Sequence, residues 1–119
     1  MKRLVAATLV LACAFAAGAQ QGRQWTLTRA QWSGVTSAEQ VADIPPLHAA
    51  LKAFDAAPGS RLVVIHNGGE DGLFWASDLK GWLVALGIPS ARIVDRTGAL
   101  PPDRIELQLE PPDPAAHGT

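Results

Sequence analysis

The sequence predicts a single two-layer domain of the α/β or α+β class, with the element order βαβαββ, a small mixed sheet and two helices on one face. The run from Leu62 to Ile65 is short, apolar and rich in β-branched residues, which is typical of a strand buried on both faces. From Leu73 to Leu86 the apolar residues recur instead at helical spacing. A further apolar run at 91–94 follows, so we expect a parallel βαβ unit with a right-handed crossover.

The chain begins with the pattern of a secretory signal peptide. Lys2 and Arg3 precede a long apolar stretch, and the small residues before Gln20 predict cleavage after Ala19. We therefore expect a periplasmic or secreted protein, with its folded domain at 20–110 and no transmembrane segment after cleavage. The alternative is a lipoprotein anchored at Cys13, which follows a tolerable lipobox.

The composition of the remaining chain excludes several classes of function. Of 119 residues, ten are basic and eleven acidic, and loss of Lys2 and Arg3 leaves eight basic residues and a net charge of −3. A chain with this charge and no basic stripe is not expected to bind nucleic acid. Cys13 is the one cysteine, so the mature domain has no thiol for a disulfide or a zinc site. We expect no cofactor and no cysteine-based metal centre.

A predicted strand opens the mature domain. Trp25 to Thr28 alternates apolar and polar residues, as a half-buried strand does. Residues 34–42 contain few apolar residues at helical spacing, so we expect a loop there with at most one helical turn. A capping box that starts at Thr36 or Ser37 would open that turn.

The first long helix is predicted to begin at Asp43. Aspartate is a favoured N-cap, and Pro45 is tolerated in a first turn because its missing N–H would have no partner there. Pro58 and Gly59 end the helix and begin the turn into the central strand. Its apolar face consists of Leu47, Ala50, Leu51 and Phe54.

The second long helix and the last strand complete the predicted fold. Glu70 and Asp71 fall in the first turn of the helix, where acidic side chains favour the positive end of its dipole, and Gly87 ends it. Residues 105–109 alternate apolar and polar, which predicts a strand with one wet face that we place at a sheet edge. Residues 111–119 are proline-rich and are expected to be disordered.

Two stretches of the second half, LVVIHNGG and LVALGIPSARI, have sequence patterns similar to those of a known protein family. Gly87 to Ile93 matches the glycine-hydrophobic start of that family's next strand, and Ala76 falls at its helix alanine. With the element order over 43–110, the chain thus resembles the OmpA-like C-terminal domain of envelope proteins. The resemblance implies a peptidoglycan-binding fold that grips the stem peptide with an aspartate in the loop and an arginine in the helix.

The chain departs from that family at the two binding positions. Alignment of the strand places Gly69 at the aspartate, and alignment of the helix places Trp75 at the arginine. Both halves of the ion-pair recognition are therefore missing. Peptidoglycan binding by the family's mechanism is not expected, even on a shared fold.

The candidate binding residues lie in the loop between the central strand and the second helix. His66, Asn67, Glu70 and Asp71 stand at the carboxyl end of a strand and the amino end of a helix, where α/β proteins place ligand sites. One histidine and two carboxylates could bind a divalent metal or serve acid–base hydrolysis. The simpler interpretation is that the acids are ordinary first-turn residues, the glycines supply turn geometry and the histidine lies at the rim.

The large apolar residues predict a core and a docking surface. Trp25, Trp75 and Trp82 are expected in the core, because a small domain without disulfides relies on aromatic burial. The candidate interaction surface consists of Leu73, Phe74, Ile105 and Leu107. The sequence therefore favours a non-enzymatic interaction module that binds an envelope protein. The alternatives are a peptidoglycan or small-ligand binder that uses the HNGGED loop, and a minor metal-dependent or acid–base hydrolase at that loop.

Overall fold

The computed structural model describes residues 23–112, which form a four-stranded mixed sheet and a layer of helices. The strands are β1 (Gln24–Thr28), β2 (Arg61–His66), β3 (Ile93–Thr97) and β4 (Arg104–Glu110), and the helices are α1 (Arg29–Trp32), α2 (Ala38–Asp43), α3 (Pro45–Ala56) and α4 (Glu70–Ala85). The predicted class, a single two-layer domain, is confirmed. The predicted signal peptide, the lipidation alternative at Cys13 and most of the predicted tail lie outside the described residues. Within 23–112, no helix has the length and apolar character needed to span a membrane.

The sheet has the strand order β1-β4-β2-β3. β2 and β3 are parallel neighbours, with Leu62 opposite Ile93, so the predicted parallel βαβ unit is confirmed. β4 lies between β1 and β2 and is antiparallel to both. The placement of 105–109 at an edge is therefore wrong. Alternating side chains report which faces of a strand are wet, whereas edge position depends on the backbone partners on its two sides.

The core lies between the sheet and the helices. Its buried residues are Leu27, Val41, Ile44, Leu47, Ala50, Phe54, Leu62, Val64, Trp75, Ala76, Leu79, Leu83, Ile88, Ile93, Ile105, Leu107 and Leu109. Trp75 is 4% exposed, as predicted, whereas Trp25 and Trp82 are partly buried and pack against the core margin. Each buried apolar side chain of this size stabilises the fold by about 1.5–3 kcal/mol.

The helix starts differ in part from those predicted. Ser37 and Gln40 form the capping box of α2, which runs for six residues and is longer than the single turn expected. Asp43 is the last residue of α2 and caps nothing. Ile44 is the N-cap of α3 without a side-chain hydrogen bond, and Pro45 takes the first helical position. At 90–92 the chain makes a 3-10 turn, so β3 begins two residues later than the run suggested.

β2 has an outer face, which carries Val63 and Ile65 and lies opposite the face that packs in the core. Val63 is fully buried there and Ile65 is half-buried, although the buried residues of the helices cluster with Leu62 and Val64 on the other face. The Glu110 carboxylate lies 3.3 Å from the Arg61 guanidinium and 2.9 Å from that of Arg96. These ion pairs link β2, β3 and β4 on the outer face of the sheet. The expected burial of β2 on both faces is thus confirmed for Val63 and only partial for Ile65.

Candidate functional site

His66 closes β2 and faces the helices. Side chains alternate along a strand, so His66 shares the inner face with Leu62 and Val64, and it is 3% exposed. Its Nδ1 lies 2.9 Å from the carbonyl oxygen of Asn67. The prediction that His66 lies at the rim is therefore wrong, and its ring is held inside the fold.

Asn67 ties the loop to the chain that follows β3. Its Nδ2 donates to the carbonyl oxygen of Leu100 at 2.7 Å, and its Oδ1 accepts from the N–H of Gly69 at 2.8 Å. The N–H of Gly98 donates to the carbonyl oxygen of His66 at 2.9 Å. Asparagine is suited to this position because one side chain both accepts a local backbone N–H and donates across the gap. The polar groups of Asn67 are thus engaged in the fold.

Gly72 lies in the first turn of α4, directly against this loop. A Cβ added there would overlap the carbonyl oxygen of Asn67. Gly72 is buried, whereas Glu70 and Asp71 before it are exposed at the start of the helix. The close approach of helix to loop therefore requires glycine at this position.

The four predicted loop residues do not converge. His66 points into the fold, and the carboxylates of Glu70 and Asp71 face solvent. Within 23–112, no three histidine, cysteine, aspartate or glutamate side chains group closely enough to hold a metal ion. Asn67 holds the loop in place, because its side chain forms hydrogen bonds with backbone groups of Gly69 and Leu100. The exposed Glu70 and Asp71 lie in the first turn of α4 as predicted, whereas His66 is buried and does not lie at the rim.

An arginine that sequence reasoning missed lies beside Asp71. Arg29, the first residue of α1, stacks on the indole of Trp75, with its Cζ 4.5 Å from the ring centroid. Arg29, Asp71, Pro102 and Asp103 line an open groove of about 460 Å³. In the described part of the chain Arg29 forms no ion pair. No local signal relates Arg29 to Asp71, because they are far apart in sequence and share a groove only in the folded chain.

The predicted interaction surface is divided by the fold. Leu73 and Phe74 are 51% and 68% exposed on α4. Ile105 and Leu107 are fully buried on β4, so their assignment to a surface is wrong. Their alternation with polar residues marked the core face of a central strand. Val84, which was not predicted, is 44% exposed on the same helix as Leu73 and Phe74.

Comparisons with known proteins supply no relative from which a function could be transferred. The chain matches no protein-family model, no curated protein and no solved structure. The function is therefore argued from α4, from the loop before it and from the groove beside Arg29.

Proposed function

We propose that this protein is an exported, non-enzymatic interaction module that serves as an accessory part of a cell-envelope assembly. The observation that carries the proposal is the exposed apolar face of α4, where Phe74 is 68% and Leu73 51% exposed. Single exposed apolar residues are common, but two large apolar side chains exposed at adjacent positions, with Val84 exposed further along the same helix, favour a contact surface. The signal-peptide pattern supports an envelope location. The resemblance in sequence pattern to the OmpA-like domain supports an envelope role for the fold.

The loop before α4 supports a binding role over a catalytic one. A general base has to reach its substrate, and His66 is 3% exposed with Nδ1 beside a backbone carbonyl. Within 23–112, neither Glu70 nor Asp71 forms an ion pair or a side-chain hydrogen bond that would orient it for proton transfer. The surface of the same helix offers apolar area instead, which is what association with another protein uses.

Site-specific photo-cross-linking in living cells tests the proposed function. Phe74 replaced by benzoylphenylalanine is expected to give a discrete cross-linked species after irradiation. The matched control carries the same group at Lys52, an exposed position on α3 away from this face. Cross-links of equal yield at both positions, or at neither, would contradict the proposal.

A second function, recognition of a small zwitterionic ligand such as a peptidoglycan stem peptide, is favoured by the groove at Arg29. A guanidinium held on Trp75 could bind a carboxylate, while Asp71 and Asp103 could bind an ammonium group. Sedimentation with purified sacculi tests this function. Binding that Arg29→Ala and Asp71→Asn abolish would establish it, whereas binding that survives both changes would place the ligand elsewhere.

A further inference from the structure

The outer face of α4 has the spacing of a helix-pairing seam. Phe74, Ser77, Gly81 and Val84 recur at intervals of three and four residues, and all four are exposed. The core residues of the helix, such as Leu79 and Leu83, lie on the opposite side. α4 therefore has one apolar face buried in this fold, and an outer face with Phe74 and Val84 on either side of two small residues that has no partner in 23–112.

Gly81 is the position on this face where another helix can approach most closely. Glycine in a helix interior is less stable than alanine, and no atom within 4 Å would meet a Cβ at this position. The fold therefore gives no reason for glycine there. Ser77, Asp78, Gly81, Trp82 and Ala85 line a shallow groove of about 470 Å³. Small residues on one helix allow the large side chains of another to enter between them.

The two flanks of the seam differ in charge. Asp71 and Asp78 lie seven residues apart along one flank, and both are exposed. Neither forms an ion pair within the described chain, although Arg29 lines the same groove as Asp71. Lys80 lies on the other flank. In paired helices the flanking positions set which partner is accepted, because opposite charges face each other across the seam.

We propose that this face binds an amphipathic helix of another protein, which has a large apolar residue opposite Gly81 and two basic residues seven positions apart facing Asp71 and Asp78. The inference rests on the proposed function and names the chemistry of its partner. The binding mode is a helix laid against a helix face, with apolar contacts at the seam and charge at one flank.

A second copy of this chain fits the seam less well. In an antiparallel pair like flanks meet, so Asp78 would face Asp78 of the other copy. In a parallel pair, Asp78 faces the position of Leu73 and Lys80 faces that of Ala85, which leaves both charges without an opposite partner. An anionic membrane surface would likewise be repelled by Asp71 and Asp78.

Titration with two designed helical peptides tests the partner chemistry. Both peptides have leucine at the seam positions, and they differ only at two flank positions seven residues apart, which are lysine in one and glutamate in the other. The protein is produced as the full chain in an exporting host and purified as processed. We expect the lysine peptide to bind at least tenfold more tightly at low salt, and this ratio to shrink at 0.5 M salt.

Variants of the protein locate the peptide. Phe74→Ala is expected to weaken binding of the lysine peptide about 30-fold, because Phe74 is the largest apolar side chain of the seam. The double change Asp71→Asn and Asp78→Asn is expected to remove most of the preference for lysine over glutamate. Lys52→Ala is the control and should leave binding unchanged. Circular dichroism confirms that each variant is folded.

Each other outcome has a defined meaning. Binding that is unaffected by Phe74→Ala or by the two asparagines overturns the inference. So does a Phe74-dependent dimer in sedimentation, which makes the partner a second copy, or Phe74-dependent binding to phosphatidylglycerol vesicles. If Phe74 cross-links to a protein in cells but the lysine peptide fails to bind, the partner chemistry is wrong and the proposed function stands. If both experiments fail, both proposals fall.

Discussion

The two glycines inside α4 lie on opposite sides of the helix and have opposite surroundings. Gly72 is buried against the loop at Asn67, where a Cβ would overlap a backbone oxygen. Gly81 faces open space, with nothing near the position of a Cβ. One side of α4 is therefore fixed by the packing of this fold. The other side carries apolar and small residues that the fold itself does not use.

The largest expected effect concerns the buried side. Leu79→Ala should lower the free energy of unfolding by about 3 kcal/mol, because it leaves a cavity under a fully buried position. Phe74→Ala on the exposed side should change it by less than about 0.5 kcal/mol. Urea denaturation measures both. Equal losses in the free energy of unfolding for the two variants would show that the outer side of α4 is covered. The two sides of the helix would then not differ in their packing.

Gly72→Ala should have the next largest effect. The added methyl group meets the backbone at Asn67, which a side-chain rotation cannot relieve, so we expect a loss of about 2 kcal/mol in the free energy of unfolding. The matched change is Gly81→Ala on the exposed side, which meets no neighbour and should not lower the free energy of unfolding. A Gly72→Ala variant as stable as the original chain would contradict the close approach of helix and loop.

Asn67→Ala should cost about 1–2 kcal/mol. It removes the hydrogen bond to the carbonyl oxygen of Leu100 and the one from the N–H of Gly69. Glu70→Ala, three residues along and exposed, should change stability by less than about 0.5 kcal/mol. Thermal unfolding of the two variants measures the difference. The opposite order would show that the exposed Glu70 contributes more to the stability of the fold than Asn67 does.

Gly81→Ala should have the smallest effect, and of the opposite sign. Alanine raises helix stability and meets no neighbour here, so the free energy of unfolding should rise by about 0.5–1 kcal/mol. Chemical denaturation with replicate titrations resolves such a change. A loss of stability would show that the helix backbone at Gly81 is restrained by a contact inside the fold.

Part of the candidate site followed from the sequence. The glycine-rich turn between β2 and α4 and the acidic first turn of the helix are local features, set by residues within a few positions of one another. The direction of His66 was missed, because it depends on which face of β2 the helices cover. Arg29 was missed as well, since the residues near it, Trp75 and Asp71, are distant in the sequence. Exposure of Phe74 was expected from its place beside the core stripe.

Local sequence patterns were enough to predict the order of the main elements and the inward faces of α3 and α4, because hydrophobic periodicity is a property of neighbouring residues. The parallel pairing of β2 with β3 also followed, since a short crossover helix leaves few other arrangements. The central position of β4, in contrast, is visible only in the folded sheet. Backbone hydrogen bonds between segments far apart in the chain set the order of strands within a sheet, and alternation of side chains does not record it.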